Sequence, residues 1–138
     1  LENNILNIID NNQFLLKLFP KGIDKFAFGN LDIKINNRIY FNLHTSQKPE
    51  IIIDKWGEWN KNYNVIVIEI IAQFIDNLEV FNVQKNKLKV CKFDMEIDKT
   101  NNEILILKFS NRDWFVKLNL KSLTFQRCSI YINDYLIT

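Results

Sequence analysis

The side chains with the clearest chemical potential are few, and they are scattered. His44 is the single histidine of the chain. A tetrahedral transition-metal site needs three or four nitrogen and sulfur ligands, and there is no Cys-x-x-Cys or His-x-x-x-His spacing to supply them. The simpler account of His44 is a hydrogen-bonded residue at the end of a strand. Asp94, Glu96 and Asp98 alternate along one segment, so they share one strand face at steps of about 7 Å. A carboxylate acid/base pair needs one member buried with a raised pKa. Here the opposite face holds Phe93, Met95 and Ile97, which reads the acids as a solvated face. Their spacing also lacks the loop ligands of a calcium cage. Glu69 interrupts the apolar run Val65 to Ala72, which predicts a strand-end position or a lysine partner.

The chain has three glycines, Gly22, Gly29 and Gly57, too few for a phosphate-cradling loop. No serine lies in a Gly-x-Ser-x-Gly context. These residues suggest no catalytic constellation, no metal and no cofactor. One aromatic group stands apart in Lys55-Trp56-Gly57-Glu58-Trp59-Asn60-Lys61-Asn62-Tyr63. Trp and Tyr bring large contact area at low entropic cost, so Trp59, Tyr63 and Trp56 are the candidate partner-binding residues. The competing account is that these rings plug one end of the fold. Lys55 and Lys61 alone make a poor nucleic-acid platform.

The elements that must position these groups follow from periodicity. Residues 4 to 19 place Ile5, Leu6, Ile8, Ile9, Phe14, Leu15, Leu16 and Leu18 at helical spacing. Asp10, Asn11 and Asn12 interrupt the pattern, so it reads as two short helices or one broken helix, stopped by Pro20 and Gly22. Residues 1–20 are thus a helical cap. After Pro20 the period becomes two, and residues 31–132 read as an antiparallel β meander. Asn36-Asn37 suits a two-residue hairpin turn. Val65 to Ile71 is apolar on both faces, which predicts a central strand with the N-terminal helix covering one of them. Further strands are expected at 78–83, 88–97, 103–109, 114–120 and 123–132, with Lys99 to Asn102 as a turn. Apolar parity switches inside two of them, which predicts a bulge or bend near Cys91 and another near Gln126-Arg127.

The whole chain, 1–138, reads as a single domain of mainly β class: a strongly curled antiparallel sheet, sandwich or partly open barrel, with a short N-terminal helical segment. Lys plus Arg number 18 and Asp plus Glu 16, a net charge of +2. That balance gives no basic tract for nucleic acid. No apolar run approaches the roughly 18 residues of a membrane helix. No secretory signal is visible, so a cytoplasmic location is expected, with Cys91 and Cys128 as reduced thiols.

Three stretches carry a resemblance. Cys91-Lys92-Phe93-Asp94-Met95-Glu96-Ile97, Glu103-Ile104-Leu105-Ile106-Leu107 and Thr124-Phe125-Gln126-Arg127-Cys128-Ser129-Ile130-Tyr131-Ile132 resemble the C-terminal half of the immunity protein fifty family of bacterial polymorphic toxin systems. The likeness spans roughly residues 24 to 132. It implies a cytoplasmic protein that binds a cognate toxin, encoded by a neighbouring gene, and neutralises it stoichiometrically without catalysis. The physical marker of such a protein is an exposed apolar or aromatic patch with a charged rim. Two other readings stand beside it. One is a small-ligand-binding β protein with an internal cavity lined by Phe41, Phe93, Phe109 and Phe125. The other is an enzyme using scattered acids such as Asp94 and Glu69.

Overall fold

The computed structural model describes residues 4–101, 103–135 and 137–138. Residues 1–3 of the expected helical cap, and Asn102 of the expected turn, lie outside them. The cap itself is more broken than helical spacing predicts. A 3-10 turn at Ile5–Ile8 is capped by Asn4, whose Oδ1 accepts from the Leu6 amide at 3.1 Å. Next comes a two-residue strand, β1 (Ile9–Asp10), and then the one α-helix among the described residues, α1 (Gln13–Leu18). The polar interruption at Asp10 to Asn12 is what makes this possible. Asn11 takes a positive φ of 60°, and the Asn12 amide donates back to the Leu6 carbonyl at 2.8 Å. Asn tolerates the left-handed region, so the chain turns here at little cost.

The remaining strands are β2 (Ala27–Lys34), β3 (Arg38–Thr45), β4 (Val65–Phe81), β5 (Lys92–Ile97), β6 (Leu105–Ser110) and β7 (Phe115–Tyr131). They form one sheet in the order β2-β3-β4-β7-β6-β5, with β1 parallel to β7 through Ile9 and Leu123. All other strand pairs are antiparallel, so the mainly β reading holds. The strands start at Ala27, four residues before Leu31, and the expected single meander is corrected to two, β2-β3-β4 and β5-β6-β7, joined by the pairing of β4 with β7. The turn after β2 uses three residues, Ile35 to Asn37, with Asn37 at φ 63°. A third residue in the left-handed region is the usual solution for loops of that length.

Two pairs of expected strands merge. Segments 65–71 and 78–83 belong to the single strand β4, and 114–120 and 123–132 to β7. These two long strands pair along their whole length, from Val65 opposite Tyr131 to Phe81 opposite Phe115. They form a ribbon that carries β3 and β2 on one half and β6 and β5 on the other. The expected bulge near Gln126-Arg127 is present: Glu69 faces Arg127 and Ile70 faces Phe125, which leaves Gln126 unpaired. A second irregularity separates Ile75 from Asn77. Near Cys91 the expectation of a bend inside a strand is corrected. Strand β5 begins only at Lys92, Leu88 turns the chain at φ 56°, and Val90 bridges Ala27 of β2. The change of parity marks the passage from one strand partner to another.

The core face holds Phe28, Phe41, Leu43, Ile66, Ile68, Ile70, Leu118 and Leu120, all at most 2% exposed, and the N-terminal residues Ile5, Leu6, Leu15 and Leu18 pack into the same cluster. The N-terminal segment therefore covers one face of the central strand, as expected. Residues of strands distant in the sheet order meet across this core. Phe28 of β2 lies 4.7 Å from Phe109 of β6, and Phe109 lies 5.5 Å from Phe41 and 5.2 Å from Phe93. Such contacts require the sheet to fold over on itself. Three of the four phenylalanines expected to line a cavity thus fill the interior ring against ring, and Phe125 packs elsewhere, against Phe14 at 6.4 Å. No helix among the described residues is long and apolar enough to cross a membrane.

Candidate functional site

The aromatic loop folds inward. A 3-10 turn at Asp54–Trp56 delivers Trp56 into the core, 9% exposed, edge-on to Phe14 at 5.9 Å and to Tyr63 at 5.7 Å. Gly57 follows at φ 83°, a conformation that strains any other residue. The loop is then tied down by Asn62, which accepts from the Glu58 amide at 2.8 Å, and by the Asn60 amide donating to the Tyr63 carbonyl at 2.8 Å. Tyr63 is only 2% exposed, and its burial pushes the phenol pKa up. Trp59 is half-buried, edge-on to Tyr63 at 5.2 Å. The plug account is therefore correct for Trp56 and Tyr63, which offer no surface to a partner. Trp59 lies between the two accounts, with its ring edge-on to Tyr63 and part of it in solvent.

The acids do not converge. Asp94 and Glu96 stand on the outer face of β5, and Asp94 sits opposite Lys108 of β6. Lys108 faces Lys117, which pairs with Glu79 at 3.8 Å, so charges run across four strands as a solvated row. Asp98 turns instead to the Thr100 hydroxyl and amide, at 2.7 and 2.9 Å, and these bonds hold its carboxyl below the usual range. No group of three or more His, Cys, Asp or Glu side chains among the described residues could hold a metal ion. Glu69 lies mid-strand rather than at a strand end, and its partner is Arg127 rather than a lysine: Arg127 Nε donates to Glu69 Oε2 at 2.9 Å and its pKa rises through that bond.

His44 does lie at a strand end and is hydrogen-bonded on both ring nitrogens. With Nε2 protonated, it donates to Asn42 Oδ1 at 2.9 Å, and Nδ1 accepts from the Tyr131 hydroxyl at 3.0 Å. Burial lowers its pKa, which favours this neutral form.

The surface that stands out was not singled out from the sequence. At the β2–β3 hairpin tip Ile33 is 58% exposed and Ile35 fully so, and Phe74 of β4 is 65% exposed. The hairpin tip and Phe74 share one end of the sheet. Arg38 pairs with Gln73, and the Asn37 amide reaches the Ile75 carbonyl at 3.4 Å. Around them stand Arg38 and the ion pairs Asp32–Lys34 at 3.0 Å and Glu103–Lys121 at 3.2 Å. Phe74 also carries a φ of 54°, inside a strand. Among the described residues, five of the seven positive-φ residues other than glycine are Asn, and the other exception, Leu88, is held by an Asn86 side chain that accepts from its amide at 3.0 Å. A bulky residue in the left-handed region costs about 1–2 kcal/mol, and exposing its ring forgoes about 1.5–3 kcal/mol of burial. Core packing follows even positions through Ile66, Ile68, Ile70 and Ala72 and then shifts to Ile75, so Phe74 sits where the strand changes face; Val65, Val67 and Ile71 are apolar as well and hide that shift in the sequence.

Comparison of the chain with protein-family models, curated proteins and solved structures finds no significant match.

Proposed function

We propose that this protein is a non-catalytic binding protein that acts by stoichiometric occlusion of a protein partner, through the hairpin-tip surface around Ile33, Ile35 and Phe74. The observation that carries this reading is Phe74, which combines an unfavourable backbone conformation with an exposed ring. Strain retained at one exposed residue is a mark of function over stability. The surrounding charges match the marker of an interface, an apolar centre within a polar rim. The resemblance of residues 91–97, 103–107 and 124–132 to toxin-immunity proteins supplies the partner class: a bacterial toxin encoded beside this gene, met in the cytoplasm.

The test uses the product of the neighbouring gene and isothermal titration calorimetry. The expected result is one-to-one binding that Ile35→Lys and Phe74→Lys each weaken by at least about thirtyfold, the loss typical of an interface anchor, with unchanged melting temperatures. Undiminished binding by both variants overturns the assignment of this surface. Trp59→Ala is the control for the aromatic loop: a loss of affinity there, with none at Phe74, moves the interface to Trp59.

A further inference from the structure

The outer face of the sheet carries a groove of about 680 Å³. Its floor is a row of residues matched rung to rung across three strands, Asn42, Glu69 and Arg127, and Gly29 of β2 continues the row beside Asn42. Both flanking strands are irregular just past this row. On β2 the register shifts between Gly29 and Asp32, and on β7 it shifts at Gln126. Bulges bend a strand and re-aim its side chains. Two at the same level on either side of the β3–β4 pair turn a flat sheet face into a trough, with Asn30 and Gln126 on opposite walls.

The floor is built rather than incidental. A Cβ on Gly29 would stand 2.8 Å from Asn42 Oδ1 and 3.1 Å from His44 Nε2, so only glycine lets that hydrogen-bonded pair lie flat on the sheet. His44 holds the Asn42 oxygen, which leaves the Asn42 amide nitrogen for a ligand. Arg127 and Glu69 engage each other through Nε and Oε2, leaving one carboxylate oxygen and both terminal guanidinium nitrogens. The Asn30 and Gln126 amides and Tyr40, whose ring lies under Lys34 Nζ at 5.8 Å, add to the lining. Its charges cancel: Asp32 is paired with Lys34 and Glu69 with Arg127.

We infer that this groove binds a neutral oligosaccharide. An anionic ligand needs an unmatched cation, and the two here are already paired. An apolar ligand would strip water from planar polar groups and leave them unpaired. Neighbouring sugar hydroxyls each donate and accept, and so can satisfy the mixed edges of a carboxylate, a guanidinium and several amides at once. This site shares the Asp32–Lys34 pair with the rim of the hairpin-tip surface, but Gln126 and Arg127 belong to the groove alone, and its failure leaves the protein-binding reading standing.

The test is an array of neutral and of sulfated or sialylated oligosaccharides, probed with the biotinylated full chain gathered on streptavidin so that weak single-site binding registers through avidity. The expected result is retention on neutral glycans, reduced at least tenfold by Arg127→Ala and by Gln126→Ala and unchanged by Ile35→Lys. Titration of the preferred glycan should shift the amide resonances of Tyr40, Asn42, Glu69 and Gln126. Retention of no glycan, retention of anionic glycans alone, or neutral-glycan binding that survives both groove variants overturns the proposal.

Discussion

Phe28 of β2 and Phe109 of β6 lie 4.7 Å apart, centroid to centroid, although three strands separate them in the sheet order. Their contact is the closure of the fold. The sheet has free edges, but its core face is sealed by rings meeting across the curl.

Phe28→Ala and Phe109→Ala should each cost about 3–5 kcal/mol of stability, the range for buried aromatic truncations. Because the two rings touch, the double variant should cost less than the sum by about 0.5–1.5 kcal/mol. Urea denaturation of the four proteins checks this; strict additivity would mean that the two halves of the sheet fold independently.

Stability should depend on pH through His44. Its folded pKa is lowered by burial, so above the unfolded value of about 6.5 both states are neutral and its contribution is constant. As pH falls below about 6.5, the unfolded chain takes up a proton that the folded one resists. Stability then drops, by no more than about 1.4 kcal/mol per pH unit, until the folded pKa is reached. Melting curves from pH 7.5 to 5 should show this decline for the native chain and a shallower one for His44→Gln. Identical slopes would remove His44 as the source.

Both cysteines should be free but unreactive. Burial pushes the Cys91 thiol to about 11, and burial together with the charge of Glu69 pushes Cys128 to about 12. Because the thiolate is the reacting form, native-state labelling at pH 7.5 should run more than about a hundredfold slower than for a free thiol. Two equivalents should react at once in denaturant. A fast native phase would place one thiol at the surface.

Trp56→Ala should cost about 3–5 kcal/mol, since the ring is buried between Phe14 and Tyr63. Trp59→Ala should cost less, about 1–2 kcal/mol, because that ring is edge-on to Tyr63 with part of it in solvent. Thermal melts of both variants decide it, and a Trp59→Ala protein as unstable as Trp56→Ala would put both rings in the core.

Much of the fold was legible because backbone geometry is local. Alternation after Pro20 identified strands, and the parity switch placed a bulge or bend near Gln126-Arg127, where the structure leaves Gln126 unpaired, since one extra residue must turn every later side chain over. The same signal misled at Cys91, where the chain leaves its bridge to β2 and begins β5. A switch in parity reports a change of face; it does not say whether the strand partner has changed as well.

The candidate surfaces were not legible, because exposure belongs to no single residue. By composition Trp56, Trp59 and Tyr63 are the best binding residues in the chain, yet the turn at Gly57 and the side chain of Asn62 fold them onto Phe14 and the core. Ile35 and Phe74 look like ordinary core residues and stand in solvent. Sequence alone determined the class of structure, the central strand, the polar break at Asp10 to Asn12 and the irregularity near Gln126-Arg127, all written in spacing along the chain. Tertiary structure alone decided that Glu69 meets Arg127 rather than a lysine and that Gly29 makes room for Asn42 and His44. It also set Phe74 beside the hairpin tip. Those relations join residues more than a dozen positions apart, and only the register between strands brings them within reach of one another.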